Sequence, residues 1–452
     1  MEPITYEQLI EMLQGTSALP RARAALSEMN VVDIANLFEE LESKDQVLLV
    51  FRLLSKDLSA DVFAYLDPDH QQTIIESISD REISAIVSEL FIDDAVDLLE
   101  ELPANVVRRV LRNTDEQTRR IINEFLKYPE QSAGSIMTIE YVDLREQYTV
   151  ADAIKRIRRT GVDKETIYTC YVTDATRKLL GVVALRKLLT VDEDTLIGDV
   201  MDENVQFVHT LDDQEAVTRL MREYDLLSMP VVDNEDRLVG IITIDDAVDV
   251  IDEEATEDFE KMAAMMPSED EYLKTSVWQM ARNRIPWLLF LMVSATLSGL
   301  VIARFEHAIQ AVVMLAMYIP MLTDTGGNCG AQSSTLVIRG MALGEIEAKN
   351  VFSILWKEVR VSLMVGLILA VCNFARVMLF DRSGAMVALT VSMSLIVIVF
   401  ASKVIGCMLP LLAKKLRVDP AIMASPLITT IVDVLALVVY FNIAVWLLGI
   451  PA

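Results

Sequence analysis

Apolar residues are distributed along this chain in three successive patterns. From about residue 25 to 130 they fall in short blocks at helical spacing. Three blocks are alike: "DIANLFEEL" from Asp33, "DLSADVFAYL" from Asp57 and "EISAIVSEL" from Glu82, with starts 24 and 25 residues apart. Such a period predicts helix pairs stacked as a small solenoid. From 133 to 255 the pattern becomes a repeated unit of strand, acidic turn, second strand starting at glycine, and helix. Its first copy holds Val172–Thr173–Asp174 and Gly181–Val182–Val183; its second holds Val231–Val232–Asp233 and Gly240–Ile241–Ile242. An acidic helix and connector follow to residue 280. Beyond it come five long apolar runs, at about 286–303, 308–336, 361–380, 385–412 and 426–449. A bilayer core takes about 20 helical residues, so each run is expected to span, the longer ones tilted or broken.

Two stretches interrupt the apolar third. "TDTGGNCGAQSST" places Asp324, three glycines, Asn328, Gln332 and several hydroxyls inside the second run. Small residues let membrane helices approach, and a packing seam accounts for Gly326, Gly327 and Gly330. It accounts less well for Asn328 and Gln332, whose amides need partners, so a water-lined path with exposed carbonyls near glycine is the alternative. In "SPLITTIVDVLALVVYF", Asp433 comes seven residues after Pro426, about 10 Å along a helix. A carboxylate at that depth needs water, a cation or a partner unless it reaches the headgroups. Thr429 and Thr430 on the preceding turn extend the polar track inward.

Charge divides the chain in the same place. Residues 1–280 carry 59 Asp and Glu against 27 Lys and Arg, and residues 281–452 carry 8 against 13. An acidic two-thirds argues against nucleic-acid phosphates as partners and favours cations. Eight carboxylates crowd into 14 residues ahead of the membrane: Asp245, Asp246, Asp249, Asp252, Glu253, Glu254, Glu257 and Asp258. A merely solvated charged helix is the plain alternative. Asp93 and Asp97 lie four apart on one helical face with Asp94 beside them, where a solvated face is again the ordinary reading.

Basic residues set the expected orientation. Arg282 and Arg284 precede the first run, Arg339, Lys349, Lys357 and Arg360 separate the second and third, and Lys414, Lys415 and Arg417 separate the fourth and fifth. The other side holds Arg304, Arg376 and Arg382. The acidic part and the richer loops therefore share the cytoplasmic side of a cell (inner or plasma) membrane. No cleaved secretory signal is expected from "MEPITYEQLIEML". Four isolated cysteines and three scattered histidines suggest neither zinc, a disulfide framework nor an enzyme's acid–base pair.

The duplicated unit resembles a tandem pair of CBS domains, a regulatory module associated with adenosine nucleotides. Its Gly-x-x-Ser/Thr-x-x-Asp signature is met in the second copy by Gly240, Thr243 and Asp246. In the first copy Ala184 and Lys187 replace the last two, which speaks against nucleotide binding there. With "TDTGGNCGAQSSTLVIRG", "DPAIMASPLITTIVD" and "VDVIDEEATED" in this order, the whole chain resembles the MgtE family of magnesium channels. The resemblance implies a multi-domain membrane protein: an all-α acidic N-terminal solenoid (1–132), α/β tandem CBS domains (133–255), a linking or plug helix with its connector (256–280), and a transmembrane domain of five helices (281–452). It implies a homodimer in the lipid bilayer with a pore on the twofold axis, where Asp433 of each subunit is the central ligand and Asn328 with neighbouring carbonyls lines the way. It also implies that cytosolic Mg²⁺ holds the pore shut by binding Asp93, Asp97, Asp213, Glu215, Asp225, Asp246, Asp249, Glu254, Glu257 and Asp258. Ala331 and Ser425 stand where relatives can carry amides, so discrimination among Mg²⁺, Mn²⁺, Co²⁺ and Ca²⁺ is left open. The competing expectations are an ion-coupled divalent carrier and a membrane-tethered nucleotide sensor.

Overall fold

The computed structural model describes residues 6–13, 18–41, 43–268, 272–273, 275–346, 348–381 and 383–450. Arg382, the first five residues and part of the connector therefore lie outside the described residues. The chain divides at residue 251 into two compact units.

In the first unit, short helices run in series from Tyr6–Leu13 to Glu116–Phe125. Several are punctuated by side-chain caps: Asn30, Ser43, Asp67, Ser79 and Asp115 each accept a hydrogen bond from a backbone N–H of the turn that follows. Each cap stops one helix from merging with the last and satisfies donors that would otherwise be orphaned. The helix Val31–Glu39 packs on Lys56–Ala64, and that on Asp80–Val87, so the three similar blocks stack on one another as their period implies. Their inward faces, Ile34, Phe38, Val62, Phe63, Ile83 and Ile86 among them, make one core. The helix that carries Asp93, Asp94 and Asp97 is Ile92–Glu101, here α1.

Two three-stranded sheets follow, built to one plan. In the first, β1 (Asp143–Leu144) pairs parallel with β2 (Thr169–Thr173), which pairs antiparallel with β3 (Leu179–Ala184). In the second, β4 (Val208–His209), β5 (Ser228–Val232) and β6 (Leu238–Thr243) repeat the arrangement. Val172 faces Gly181 as Val231 faces Gly240, and each β-hairpin shifts register at the corresponding step. The strands begin two residues before the glycines, at Leu179 and Leu238, not at the glycines themselves. There the missing side chain lets another backbone cross: a Cβ at Gly181 would meet the carbonyl of Asp202 at 2.8 Å, and one at Gly240 the carbonyl of Thr138 at 2.8 Å.

The helix after β6, α2 (Ile244–Met262), runs without a break through residue 255. The expected boundary between the CBS pair and the linking helix thus falls inside one helix, because no glycine, proline or cap interrupts the sequence there.

Among the described residues, four helices of the second unit are long and apolar enough to cross a membrane: α3 (Val277–Arg304), Val351–Asp381, Ala385–Lys415 and Pro420–Leu448. The expected second span, 308–336, is not a single helix. A short helix Glu306–Ala311 and a 3-10 turn Val313–Tyr318 precede α4 (Ile319–Ala342), which carries Pro320 in its first turn and is too polar to rank with the others. The expected third span is α5 (Val351–Arg376) closed by a π-helical turn, Val377–Asp381. The fourth is α6 (Ala385–Lys415), entered at Gly384 with φ +87°. The fifth is α7 (Ser425–Leu448), preceded by the 3-10 turn Pro420–Met423. It ends at Gly449, whose left-handed φ of +63° lets the backbone turn away without a Cβ clash. Helices α4, α6 and α7 pack mutually around Leu322, Val391, Leu395, Ile398, Leu437 and Tyr440. Large apolar side chains of α3 and α5, such as Leu288, Phe290, Val293, Leu363, Leu367 and Ile368, stay exposed, as lipid-facing surface would be.

Candidate ion path and acidic clusters

Helix α4 is unbroken across the glycines, so their carbonyls serve its own hydrogen bonds and are not laid open. The glycines instead permit close packing. A Cβ at Gly326 would stand 2.7 Å from Ile398 Cγ2, one at Gly330 2.7 Å from Ile428 Cγ2, and one at Gly406 of α6 only 2.1 Å from the carbonyl oxygen of Gly330. The remaining polar residues of α4 take another face. Asp324, Asn328, Gln332 and Thr335 recur at three- and four-residue spacing and all are exposed in the single chain. An apolar bundle that leaves such a stripe uncovered needs water or another subunit against it.

Asp433 lies on α7, half-buried, eight residues from the helix start at Ser425 and so about 12 Å along it. Asp324 of α4 is the charged side chain whose field reaches it. Among the described residues no hydrogen bond or ion pair engages its carboxylate. The two threonines before it contribute less than expected, because Thr429 and Thr430 both donate their hydroxyls to the carbonyl of Pro426 at 2.9 Å. The Thr429 methyl instead fills the space opposite Gly327, where a Cβ would come within 2.9 Å. Ser334 ties α4 to the approach to α7 by donating to the carbonyl of Met423 at 2.9 Å.

In the first unit, α1 begins at Phe91 without a side-chain cap, and Asp93 and Asp94 occupy its first turn. Negative charge there is favoured by the helix dipole, but the surroundings oppose it. Burial, then the neighbouring Asp94 and Asp246, hold the Asp93 carboxyl well above the usual range, and its Oδ1 is buried with no hydrogen-bond partner. Burial, then Asp246, pushes Asp94 up to about 6. Crowding by the protein, then Asp94, pushes Asp97 up to about 7, although its side chain reaches the surface. Glu165 is raised to about 7 by burial and then by Asp245 and Asp246. Asp246 is raised to about 6 by burial, against the hydroxyl of Thr243, which donates to it at 2.7 Å. The helical solenoid, the first CBS unit and α2 thus direct carboxylates at one region.

In the second unit the end of α2 carries another acidic group. Lys261 pairs with Glu257 one turn back and with Asp419 Oδ2 at 2.6 Å. Asp258 beside it is raised to about 6 by burial, then by Asp419. Asp419 also accepts from the N–H of Ala421 at 2.8 Å, so it caps the turn leading into α7. Met262 packs against the inner ends of α4 and α6 at Val337, Met341 and Cys407.

Three comparisons bear on these parts. The description of the MgtE divalent cation transporters matches residues 319–443, that of the MgtE intracellular N domain matches 29–131, and that of the CBS domain matches 133–194 and 197–253. The magnesium transporter MgtE of Thermus thermophilus is 36% identical over 450 residues, covering 98% of both chains. The chain belongs to the MgtE family. The MgtE of Bacillus subtilis is 32% identical over 449 residues, again 98% of each chain. The cytosolic domain of the Mg²⁺ channel MgtE in complex with ATP shares the fold with a TM-score of 0.51 and 37% identity, over 54% of this chain and all of that one. The soluble part of a magnesium transporter does so with 0.52 and 32%, over 55% and 98%.

For an MgtE chain the site residues fall unevenly. Asp93, Asp97 and Asp246 converge, and the structure adds Asp94, Asp245 and Glu165. The first two of these were legible as neighbours of chosen residues, but Glu165 has no signal in "DKETIY". Glu254, Glu257 and Asp258 lie together near Asp419, and Asp249 lies on α2 between the two groups. Asp213 instead caps the helix Gln214–Glu223, accepting from the N–H of Glu215 at 2.9 Å and of Ala216 at 3.3 Å. Asp225 occupies a left-handed turn with φ +52°. Among the described residues no three acidic, histidine or cysteine side chains approach closely enough to chelate one ion. The donors are all carboxylate oxygens and one is orphaned, a set that fits a hard, well-hydrated cation bridging several of them loosely.

Proposed function

We propose that this chain is a Mg²⁺ channel, a homodimer of the cell membrane whose closure is driven by cytosolic Mg²⁺. Asp433 carries the reading. It is a half-buried carboxylate of a helical bundle with a second carboxylate, Asp324, as its charged neighbour and, among the described residues, no base paired to it. That arrangement is costly in lipid unless a cation offsets it. Helix α4 is 24 residues long, about 36 Å, and serves as the second of five spans. Its exposed stripe faces the twofold axis, where two copies of Asp324, Asn328, Gln332 and Asp433 surround a column of water. Mg²⁺ gives up its hydration shell reluctantly, so amides and carboxylates bonding to its bound water suit it better than a closed cage.

The acidic clusters serve regulation. Without Mg²⁺ the carboxylates of α1, Glu165 and α2 repel. With Mg²⁺ between them the solenoid, CBS pair and linking helix are drawn together. The Lys261 and Asp419 link connects that helix to the turn before α7 and so to Asp433. Shifting a gate from mostly open to mostly shut takes about 5.5 kcal/mol of differential binding. A single site at tenfold excess supplies about 1.4 kcal/mol, so several weak sites acting together are required, and the crowding supplies them.

The test is Mg²⁺ current through the reconstituted protein. Asp433→Ala should abolish it while leaving the dimer intact, and normal flux in that variant would refute the path. The wild-type current should reverse at the Mg²⁺ equilibrium potential whatever the proton or Na⁺ gradient; a dependence on either gradient makes the protein a coupled carrier. Loss of signalling with flux untouched in CBS variants would make it a nucleotide sensor.

A further inference from the structure

Lys403 is an unexpected residue inside the apolar bundle. It stands on α6 at 5% exposure, and its ammonium donates to Ser333 Oγ of α4 at 3.3 Å. Ser333, at 1% exposure, in turn donates its hydroxyl to Glu358 Oε2 of α5 at 2.7 Å. One hydroxyl therefore joins a buried cation to a half-buried carboxylate and ties three helices together. Counted along each helix from its end nearest the acidic unit's linking helix, Lys403 lies about 18 Å in, Ser333 about 14 Å, Glu358 about 10 Å and Asp433 about 12 Å. The bridge is at the depth of Asp433 but on the packed side of α4.

Ionised groups at that depth are costly, and an apolar residue of similar volume usually holds a bundle together as well or better. Their retention calls for a return beyond cohesion, and the geometry supplies one. Ser333 follows Gln332 directly, and each residue of a helix is turned about 100° from the last. Any rotation of α4 that released Ser333 would swing Gln332 and Asn328 away from their present face. The close contact of Gly330 with Gly406 controls how near α4 comes to α6, but two glycines have no side chain with which to oppose rotation. A hydroxyl held directionally between an ammonium on one neighbour and a carboxylate on another does.

We propose that Lys403, acting through Ser333 with Glu358 as counter-ion, is a positioning residue for ion selection: it holds the rotation of α4 and thereby the spacing between its polar stripe and Asp433. The proposal rests on that stripe being the ion path. The experiment uses the full-length protein in planar bilayers, recording Mg²⁺ current against Mg²⁺ concentration and the reversal potential under opposed Mg²⁺ and K⁺ gradients. Wild type, Lys403→Arg, Lys403→Met, Ser333→Ala and the double variant Lys403→Met/Glu358→Met are compared. Lys403→Met and Ser333→Ala should raise the half-saturating Mg²⁺ about tenfold with a smaller change in maximal current, and move the reversal potential toward that of K⁺. Lys403→Arg, which keeps a cationic donor, should stay within about twofold of wild type. The double variant should regain thermal stability lost by Lys403→Met, since no carboxylate is left unpaired, while keeping the selectivity defect. If it regains selectivity as well, or if Ser333→Ala selects as wild type does, the bridge only holds the bundle together and the proposal fails. Should Lys403→Met not fold, Ser333→Ala and the double variant decide by the same readouts. A wild-type protein that passes no Mg²⁺ current would instead overturn the path itself.

Discussion

Protons and Mg²⁺ should compete for the acidic cluster of the first unit, and thermal stability should report the contest. Asp94 and Asp246 are each raised from 3.8 to about 6, and Asp97 from 3.8 to about 7. A group whose folded value is raised contributes stability that is fully present below its unfolded value, near pH 4. That contribution is lost as pH climbs through 6 to 7. A carboxyl raised by about two units forfeits about 3 kcal/mol once ionised. Asp94 and Asp246 repel each other, so neutralising one relieves the other and their contributions overlap; Asp97 reaches solvent, which screens it. These three groups together are therefore worth about 3–4 kcal/mol, which for a unit of this size corresponds to about 5–10 °C in Tm. The assay is thermal unfolding of the full-length protein in detergent at pH 5, 6 and 7.5, with chelator or with excess Mg²⁺. In chelator, Tm should fall across that range. Mg²⁺ should restore it at pH 7.5 and do little at pH 5, where protons already neutralise the site. Asp94→Asn/Asp246→Asn should flatten the pH dependence and raise Tm in chelator at pH 7.5. A Tm that is flat or rising with pH in chelator, or a Mg²⁺ effect equal at both ends, would show that the carboxylates are independent and hydrated.

Three further outcomes are expected. Neutralising Asp246, Asp249, Glu254 and Asp258 together should leave Mg²⁺ current intact but blunt its inhibition by cytosolic Mg²⁺; patch recording with Mg²⁺ titrated on the cytosolic face checks this, and unaltered inhibition would make them plain surface. Lys261→Met removes the ammonium from between Glu257 and Asp419, so in the same recordings the channel should open more in Mg²⁺-free solution and close more steeply as Mg²⁺ is added. Gly406→Ala puts a methyl 2.1 Å from the Gly330 carbonyl, and the helices must part by over 1 Å to restore ordinary contact. It should cost about 1–3 kcal/mol in thermal stability, whereas Gly299→Ala, with nothing within 4 Å of the added carbon, should be neutral.

Much of the architecture follows from local pattern. The 24- and 25-residue recurrence needed only that similar amphipathic helices bury similar faces, and the helices starting at Val31, Lys56 and Asp80 do so. The two strand–turn–strand units repeat because the same alternation recurs, down to the glycine opposite a valine. The outer apolar runs became helices because a backbone in lipid must satisfy its own hydrogen bonds. Three-dimensional contacts decided the rest. Composition made 308–336 look like one span, but Pro320 started the helix afresh, and whether its glycines open carbonyls or admit neighbours depended on Ile398, Ile428 and Gly406 being opposite them. Thr429 and Thr430 were polar in the sequence and self-satisfied in the helix. Glu165 joined the acidic cluster, and Asp213 became a helix cap, because charge in a sequence carries no address. Lys403 was visible as a lone basic residue in an apolar run, yet its partners lie on two other helices, 45 and 70 residues away in the chain. Periodicity encodes which face of an element is buried; what that face meets is decided by elements distant in sequence, and the chemistry of a site lies in that meeting.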